Sequence, residues 1–135
     1  MTHPVLAETL AESCRQIPDT KAAVCADLRS GDILASQTSE ESAGDAADLA
    51  GAAARVFADA RQDALNRLWR DAATSAEGGD EVVLLEPHRC YVFLRPITRP
   101  HYAVVFLTGR AGDVGLTIAR ARAVKASFEE ALRRL

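Results

Sequence analysis

The sequence predicts an α+β sandwich: a five-stranded, mainly antiparallel sheet with helices packed against it. Three observations carry this reading. Hydrophobic spacing switches between helical and strand periods in the order α-β-β-α-β-β-β-α. Neighbouring strands are joined by short connections, which suit hairpins and not parallel crossovers. Several strands are apolar on both faces, so helices must cover them.

The first element spans residues 4–16. Pro4 suits the first turn of a helix. Val5, Leu6, Leu10, Cys14 and Ile17 follow helical spacing, and Pro18 stops it. Lys21–Leu28 and Asp32–Gln37 then read as two short strands joined by Arg29-Ser30-Gly31. Val24, Ala26 and Leu28 share one face of the first strand, with Cys25 on the other. Thr38–Gly44 is polar and acidic and reads as a loop. Ser42, with Asp45 three residues on, can cap the next helix, and Ser39 is a rival start.

That next helix, Asp45–Asp71, has too many apolar sides for a helix on the outside of a monomer. At about 100° per residue, Leu49, Ala50, Ala53, Val56, Phe57, Ala60, Ala64 and Leu68 fall on one face. Gly51, Ala54, Ala58, Leu65, Trp69 and Ala72 form a second. The polar wedge of Asp48, Arg55, Asp59, Gln62, Asn66 and Arg70 is narrow. An apolar stripe roughly 100° wide serves a core-facing helix, and this helix has about twice that width. One face covers the chain's own sheet. The other is free for a partner, with small residues that let two backbones approach and Trp69 as an aromatic anchor.

Glu77-Gly78-Gly79-Asp80 breaks the chain. Glu81–Glu86 follows as a strand with apolar side chains on both faces. Such a strand is a liability if left unpaired at an edge. Val82, Val83 and Leu84 are among its apolar side chains. Pro87-His88 turns the chain into Cys90–Arg95, and Pro96–Pro100 leads to His101–Thr108, expected to be central. The closing helix, Asp113–Leu135, repeats Val114, Ala121, Phe128 and Leu135 every seven residues, supported by Ile118, Val124 and Leu132. Lys125–Glu129, Glu129–Arg133 and Glu130–Arg134 are spaced to pair on its outer face.

With 135 residues, the length fits one domain. Apolar residues make up 48%, which argues against disorder, while aromatics are only 5%. The net charge of −3 hides an asymmetry: residues 1–86 balance to −9 and residues 87–135 to +6, mostly from Arg. Three cysteines without a CxxC pattern argue against a disulfide framework and fit a reducing cytoplasm. The N-terminal stretch lacks a positive n-region, and Glu8 and Glu12 interrupt any signal-peptide core. The longest apolar run, Tyr102–Leu107, is far short of a membrane span.

Three stretches resemble the roadblock/LC7 family of small dynein-light-chain-like and GTPase-regulating proteins. They are IPDTKAAVCADLRSGDILAS, the alanine-rich LAGAAARVFADARQDAL, and EVVLLEPHRCYVFLRPITRPHYAVVFLTGRAGDVGLTIARARAVKASFEEAL. Together they cover almost the whole chain as a single domain of profilin-like layout. The hairpin reads Ser30-Gly31-Asp32 where members often place Asp-Gly. The resemblance implies a protein without an active site that forms homodimers or heterodimers with another roadblock-type subunit. In such dimers the long helices pack together and the strand after them pairs with its mate, so the resemblance adds Val82, Val83 and Leu84 to Gly51, Ala54, Ala58, Leu65 and Trp69 as the expected dimer interface. It further implies a platform for a small Ras-like GTPase or a place in a larger assembly.

Catalytic and ligand-binding patterns are sparse. There is no GxxxxGK[ST] phosphate loop. Gly109, Gly112 and Gly115 lack GxGxxG spacing, and Asp113 occupies the helix start where an anion would sit. His88, Cys90 and His101 offer zinc-type donors but no fourth ligand at a convincing spacing. Cys25 reads as a packed thiol, and no Ser-His-Asp order or paired carboxylates stand out. No catalytic, cofactor-binding or metal-binding residue is assigned. The acidic pI near 5.6 argues against nucleic acid as a partner. The competing reading is a small-ligand-sensing domain of profilin- or PAS-like shape, which requires a mixed polar and apolar pocket.

Overall fold

A computed structural model describes residues 3–38, 46–58, 80–96, 99, 101–109 and 113–134. The elements are α1 (Pro4–Gln16), β1 (Thr20–Asp27), β2 (Ile33–Thr38), α2 (Ala46–Ala58), β3 (Asp80–Leu85), β4 (Arg89–Arg95), β5 (Tyr102–Gly109) and α3 (Val114–Arg133). The five strands form one sheet in the order β2-β1-β5-β4-β3. Every pairing among them is antiparallel. Tyr102–Gly109 lies in the middle, as its two apolar faces predict. Glu81–Glu86 corresponds to β3, which lies at an edge.

The strand period of two divides the core between two faces of the sheet. Ala23, Cys25, Val92, Leu94, Val104 and Phe106 point to one side, where Leu6 and Leu10 of α1 and Val124, Phe128 and Leu132 of α3 cover them. Ala22, Val24, Ala26, Phe93, Val105 and Leu107 point to the other, against Leu49, Ala50, Ala53 and Phe57 of α2. The inner face predicted for the long helix therefore packs where expected as far as Phe57. Its continuation, Ala60, Ala64 and Leu68, lies outside the described residues, as do the Ser39 and Ser42 caps. Phe57 meets Phe93 edge-on at 6.5 Å, and Phe106 meets Phe128 at 6.1 Å. One aromatic pair thus ties a helix to the sheet on each side, an arrangement that adds to area burial. Polar groups in these cores are satisfied locally: Ser13 Oγ donates to the Thr9 carbonyl at 2.8 Å and Thr117 Oγ1 to the Asp113 carbonyl at 3.3 Å.

Element ends follow local hydrogen bonding. The first hairpin takes Asp27 to Asp32 into its turn. The Asp27 carboxylate accepts from the amides of Arg29 and Ser30 at 2.8 and 3.3 Å, and Gly31 adopts φ 80°. The two strands accordingly end and begin at Asp27 and Ile33, not at Leu28 and Asp32. Register shifts between Cys25–Ala35 and Ala26–Ile33, which leaves Leu34 as a bulge on β2. The Leu34 carbonyl accepts from the amide of His3 at 3.1 Å, so the start of α1 closes part of that edge. On the outer face of α3, Glu130 pairs with Arg134 at 3.8 Å, as spaced, and with Arg133 at 3.3 Å.

β5 runs to Gly109 because the Gly109 amide donates to the Asp19 carbonyl at 3.0 Å. Asp19 has φ 56°, and its carboxylate pairs with Lys21 Nζ at 3.2 Å. A Cβ on Gly109 would collide with that carboxylate. Gly109→Ala should therefore lower stability by ~1–3 kcal/mol through overpacking. Adding Asp19→Gly, which removes the obstacle and relieves the left-handed backbone, should restore most of the loss in thermal melts. Equal melting of Gly109→Ala and the parent would refute the close approach.

Candidate interaction surface

Among the described residues β3 pairs with β4 on one side only, in the register Glu81–Leu94, Val82–Phe93, Val83–Val92, Leu84–Tyr91 and Leu85–Cys90. Its side chains alternate faces. Val82 is 8% exposed and belongs to the α2-side core, whereas Leu84, on that same face, is 46% exposed. Val83 packs against the α1/α3-side core, and Leu85, beyond it, is 53% exposed. An open edge carrying two half-exposed leucines is what soluble proteins avoid when nothing pairs with it.

A bidentate ion pair holds this edge to the α3 layer. Arg122 Nε donates to Glu81 at 2.8 and 3.1 Å, and a terminal guanidinium nitrogen donates at 2.9 Å. Lys125 is nearby. Burial lowers its ammonium pKa, while Glu129 and Glu81 act in the opposite sense. On the other side of the sheet, Tyr91 stacks on Phe93 at 6.4 Å, and the Arg95 guanidinium lies 5.2 Å from the Phe57 ring centre. The aromatic core under α2 thus reaches toward β3.

On the outer side of α2, Gly51 is exposed, and no atom of the described residues lies within 4 Å of where a Cβ would stand. Ala54 is half-buried. Ala58 closes the described part of the helix, and Leu65 and Trp69 lie outside the described residues. Gly51 and Ala54 are thus on a different side of α2 from its packed face, and Val82, Val83 and Leu84 lie together on the β3 edge. Sequence reading missed Leu85, although its alternation with Val83 on the strand is a visible signal. It also missed the Glu81–Arg122 pair, which no spacing rule connects.

The candidate chemistry is dispersed. Cys90 is buried in the α1/α3-side core, His88 is exposed in the β3–β4 turn, and His101 is exposed next to the far end of β5. Among the described residues no three His, Cys, Asp or Glu side chains converge as a metal would require. Asp113 caps α3 by accepting from the Gly115 amide at 2.8 Å, which fills the position an anion would take. Cys14, Cys25 and Cys90 are free thiols. An open concavity of about 390 Å³ lies between Val5 and Thr9 of α1 and Ser127, Glu130 and Arg134 of α3. No helix among the described residues is long and apolar enough to cross a membrane.

Helices on both faces of a five-stranded antiparallel sheet, with the strand that follows α2 in the element order at the edge, define a small class of α+β domains. Comparison with solved structures places the chain in that class: it has the roadblock/LC7 fold. A Roadblock/LC7 domain from Streptomyces avermitilis is 14% identical, with 94% of this chain and 97% of that one covered and a TM-score of 0.64. The gliding protein MglB from Thermus thermophilus is 17% identical over 97% of this chain and 90% of that one, with a TM-score of 0.67. An MglB with a tetrameric arrangement gives 16% identity, coverage of 94% and 87%, and a TM-score of 0.72. No family model and no curated protein matches by sequence.

Burial pushes the Cys25 thiol up to about 12 and the Cys14 thiol to about 11 from an ordinary 9.0. Each is raised in the folded chain, so the unfolded chain releases these protons first as pH rises. The contribution to stability is complete below the unfolded thiol pKa and is lost as pH climbs from there toward the folded values. Urea midpoints should fall between pH 9 and 11, and Cys25→Ala should flatten that fall. An unchanged slope in the variant would show that Cys25 is not the group responsible.

Proposed function

We propose that this chain is a non-catalytic, dimeric scaffold or regulator that acts on a small Ras-like GTPase or within a larger assembly. The single observation that supports it best is the β3 edge, which among the described residues pairs with β4 alone and leaves Leu84 and Leu85, on opposite faces of the strand, half-exposed. A second copy of the chain, brought in edge to edge, extends the sheet and lays the two α2 helices on the same face. The resemblance of the sequence to roadblock/LC7 proteins supports both the pairing and the GTPase, and the tetrameric arrangement of one MglB supports self-association. The buried free thiols are in keeping with a cytoplasmic location.

Magnitudes say which parts of the surface must take part. A fully buried leucine contributes about 1.5–3 kcal/mol relative to an exposed one. Four leucines, two from each copy and each already half covered, supply about 3–6 kcal/mol by the same measure. A micromolar dimer needs roughly 8 kcal/mol net, after the cost of losing free translation and rotation. The strand edge is therefore too small by itself. Gly51, Ala54, Ala58, Leu65 and Trp69 along the long helix are the residues assigned the remainder.

Sedimentation at micromolar concentration should give twice the chain mass. Leu84→Glu with Leu85→Glu should give a folded monomer, because both side chains already touch water in the single chain. A clean monomer in the parent would overturn the dimer. A nucleotide-loaded Ras-like GTPase from the same genome should co-sediment with the dimer and lose that association with the double variant. Failure of every such GTPase to bind leaves only the assembly role.

A further inference from the structure

The backbone of β3 specifies how a second copy must align with it. The Glu86 amide donates to the Arg89 carbonyl at 2.9 Å, so Glu86 and Arg89 are a hydrogen-bonded pair. In an antiparallel ladder, bonded and non-bonded pairs alternate. Counting back along the observed register, Leu84–Tyr91 and Val82–Phe93 bond inward to β4. Leu85, Val83 and Glu81 then direct their N–H and C=O groups to the open edge. A partner strand must match these groups with its own, which allows only alignments in which odd-numbered residues face odd-numbered ones.

We infer that β3 pairs with β3 of a second copy about a two-fold axis at Val83, with Glu81 opposite Leu85 and Val82 opposite Leu84. This rests on the proposed strand-paired dimer and adds its register. Two neighbouring alignments satisfy the same parity and are worse. With Leu84 on the axis, Glu81 faces Pro87, which has no N–H to donate. With Val82 on the axis, Leu85 passes beyond the start of the partner's strand. Only the Val83 alignment makes three reciprocally bonded pairs: Glu81 with Leu85, Val83 with Val83, and Leu85 with Glu81.

Side chains agree with the backbone. Leu84 and Val82 share the α2 face, so each exposed Leu84 covers the partner's Val82. Leu85 lies on the other face, with Glu81. There it meets a carboxylate already held by Arg122, so the alignment buries no unpaired charge. Arg122 is a positioning residue in this arrangement, turning Glu81 toward α3 and away from the incoming leucine.

Cysteine pairs read the register directly. Non-bonded partners in antiparallel strands have Cα atoms about 4.5 Å apart, within reach of a disulfide. Copies carrying Val82→Cys co-expressed with copies carrying Leu84→Cys should yield an oxidised mixed dimer absent from the parent. Neither variant alone should cross-link to itself. Self-linking by Leu84→Cys would place the axis at residue 84, and self-linking by Val82→Cys would place it at residue 82; either overturns the alignment. Dimer mass with no cross-link overturns it too, whereas monomer mass overturns the dimer beneath it. A spin label on Glu86→Cys, exposed and outside the three bonded pairs, gives an independent distance. The backbone positions should lie about 20 Å apart for the Val83 axis, against about 14 Å and about 27 Å for the alternatives at ~3.4 Å per residue.

Discussion

Burial on both faces of β1, β4 and β5 is the constraint on which the rest of the structure depends. Because successive side chains point to opposite sides, a strand placed between two helical layers cannot afford polar residues on either. Val24-Cys25-Ala26 and Val104-Val105-Phe106 feed alternate cores residue by residue. A slip of one position would exchange the two sets, bringing Val24 and Val105 to α1 and α3 and sending Cys25 and Phe106 to α2. The two surfaces are shaped differently: α2 presents Leu49, Ala50, Ala53 and Phe57, and α3 presents Ala121, Val124, Phe128, Ala131 and Leu132. Each set of strand side chains is fitted to its own helical layer, and the two layers together fix the register.

That constraint weakens toward the edges of the sheet, and function is proposed where it weakens. β3 keeps Val82 and Val83 packed but lets Leu84 and Leu85 reach water. The Glu81–Arg122 pair is half-exposed on the arginine side. In water such a pair contributes little to stability. Its use is geometric, since a bidentate fork fixes an angle as well as a distance. The start of β3 is thereby tied to α3 at Arg122.

The fold was legible because its signals were redundant. The central place of His101–Thr108 could be anticipated from its two apolar faces, whereas the edge place of Glu81–Glu86, also apolar on both faces, came only with the family resemblance. The inner stripe of the long helix was legible for the same reason, with Leu49, Ala53 and Phe57 recurring at helical spacing and found packed. Less legible was anything set by the backbone alone. The Asp27 turn moved strand ends by a residue, and the Leu34 bulge left no mark in hydrophobic spacing. Pairs between distant residues, such as Glu81 with Arg122, are invisible to periodicity because many acids and arginines are equally available. Leu85 was overlooked in favour of Leu84, although both read as apolar; only the accessible area tells them apart from Val82.

The contact between His3 and Leu34 bears on assembly size. A sheet with two open sides can recruit neighbours without end, as fibres do. Here the bulge skews β2, and the start of α1 occupies one of its outward carbonyls, so the two margins of the sheet are not equivalent. A two-fold partner at β3 uses the same patch on both copies and leaves only the two β2 margins outermost. In the proposed dimer, the bulge and the occupied Leu34 carbonyl would then oppose further growth along the sheet beyond two chains.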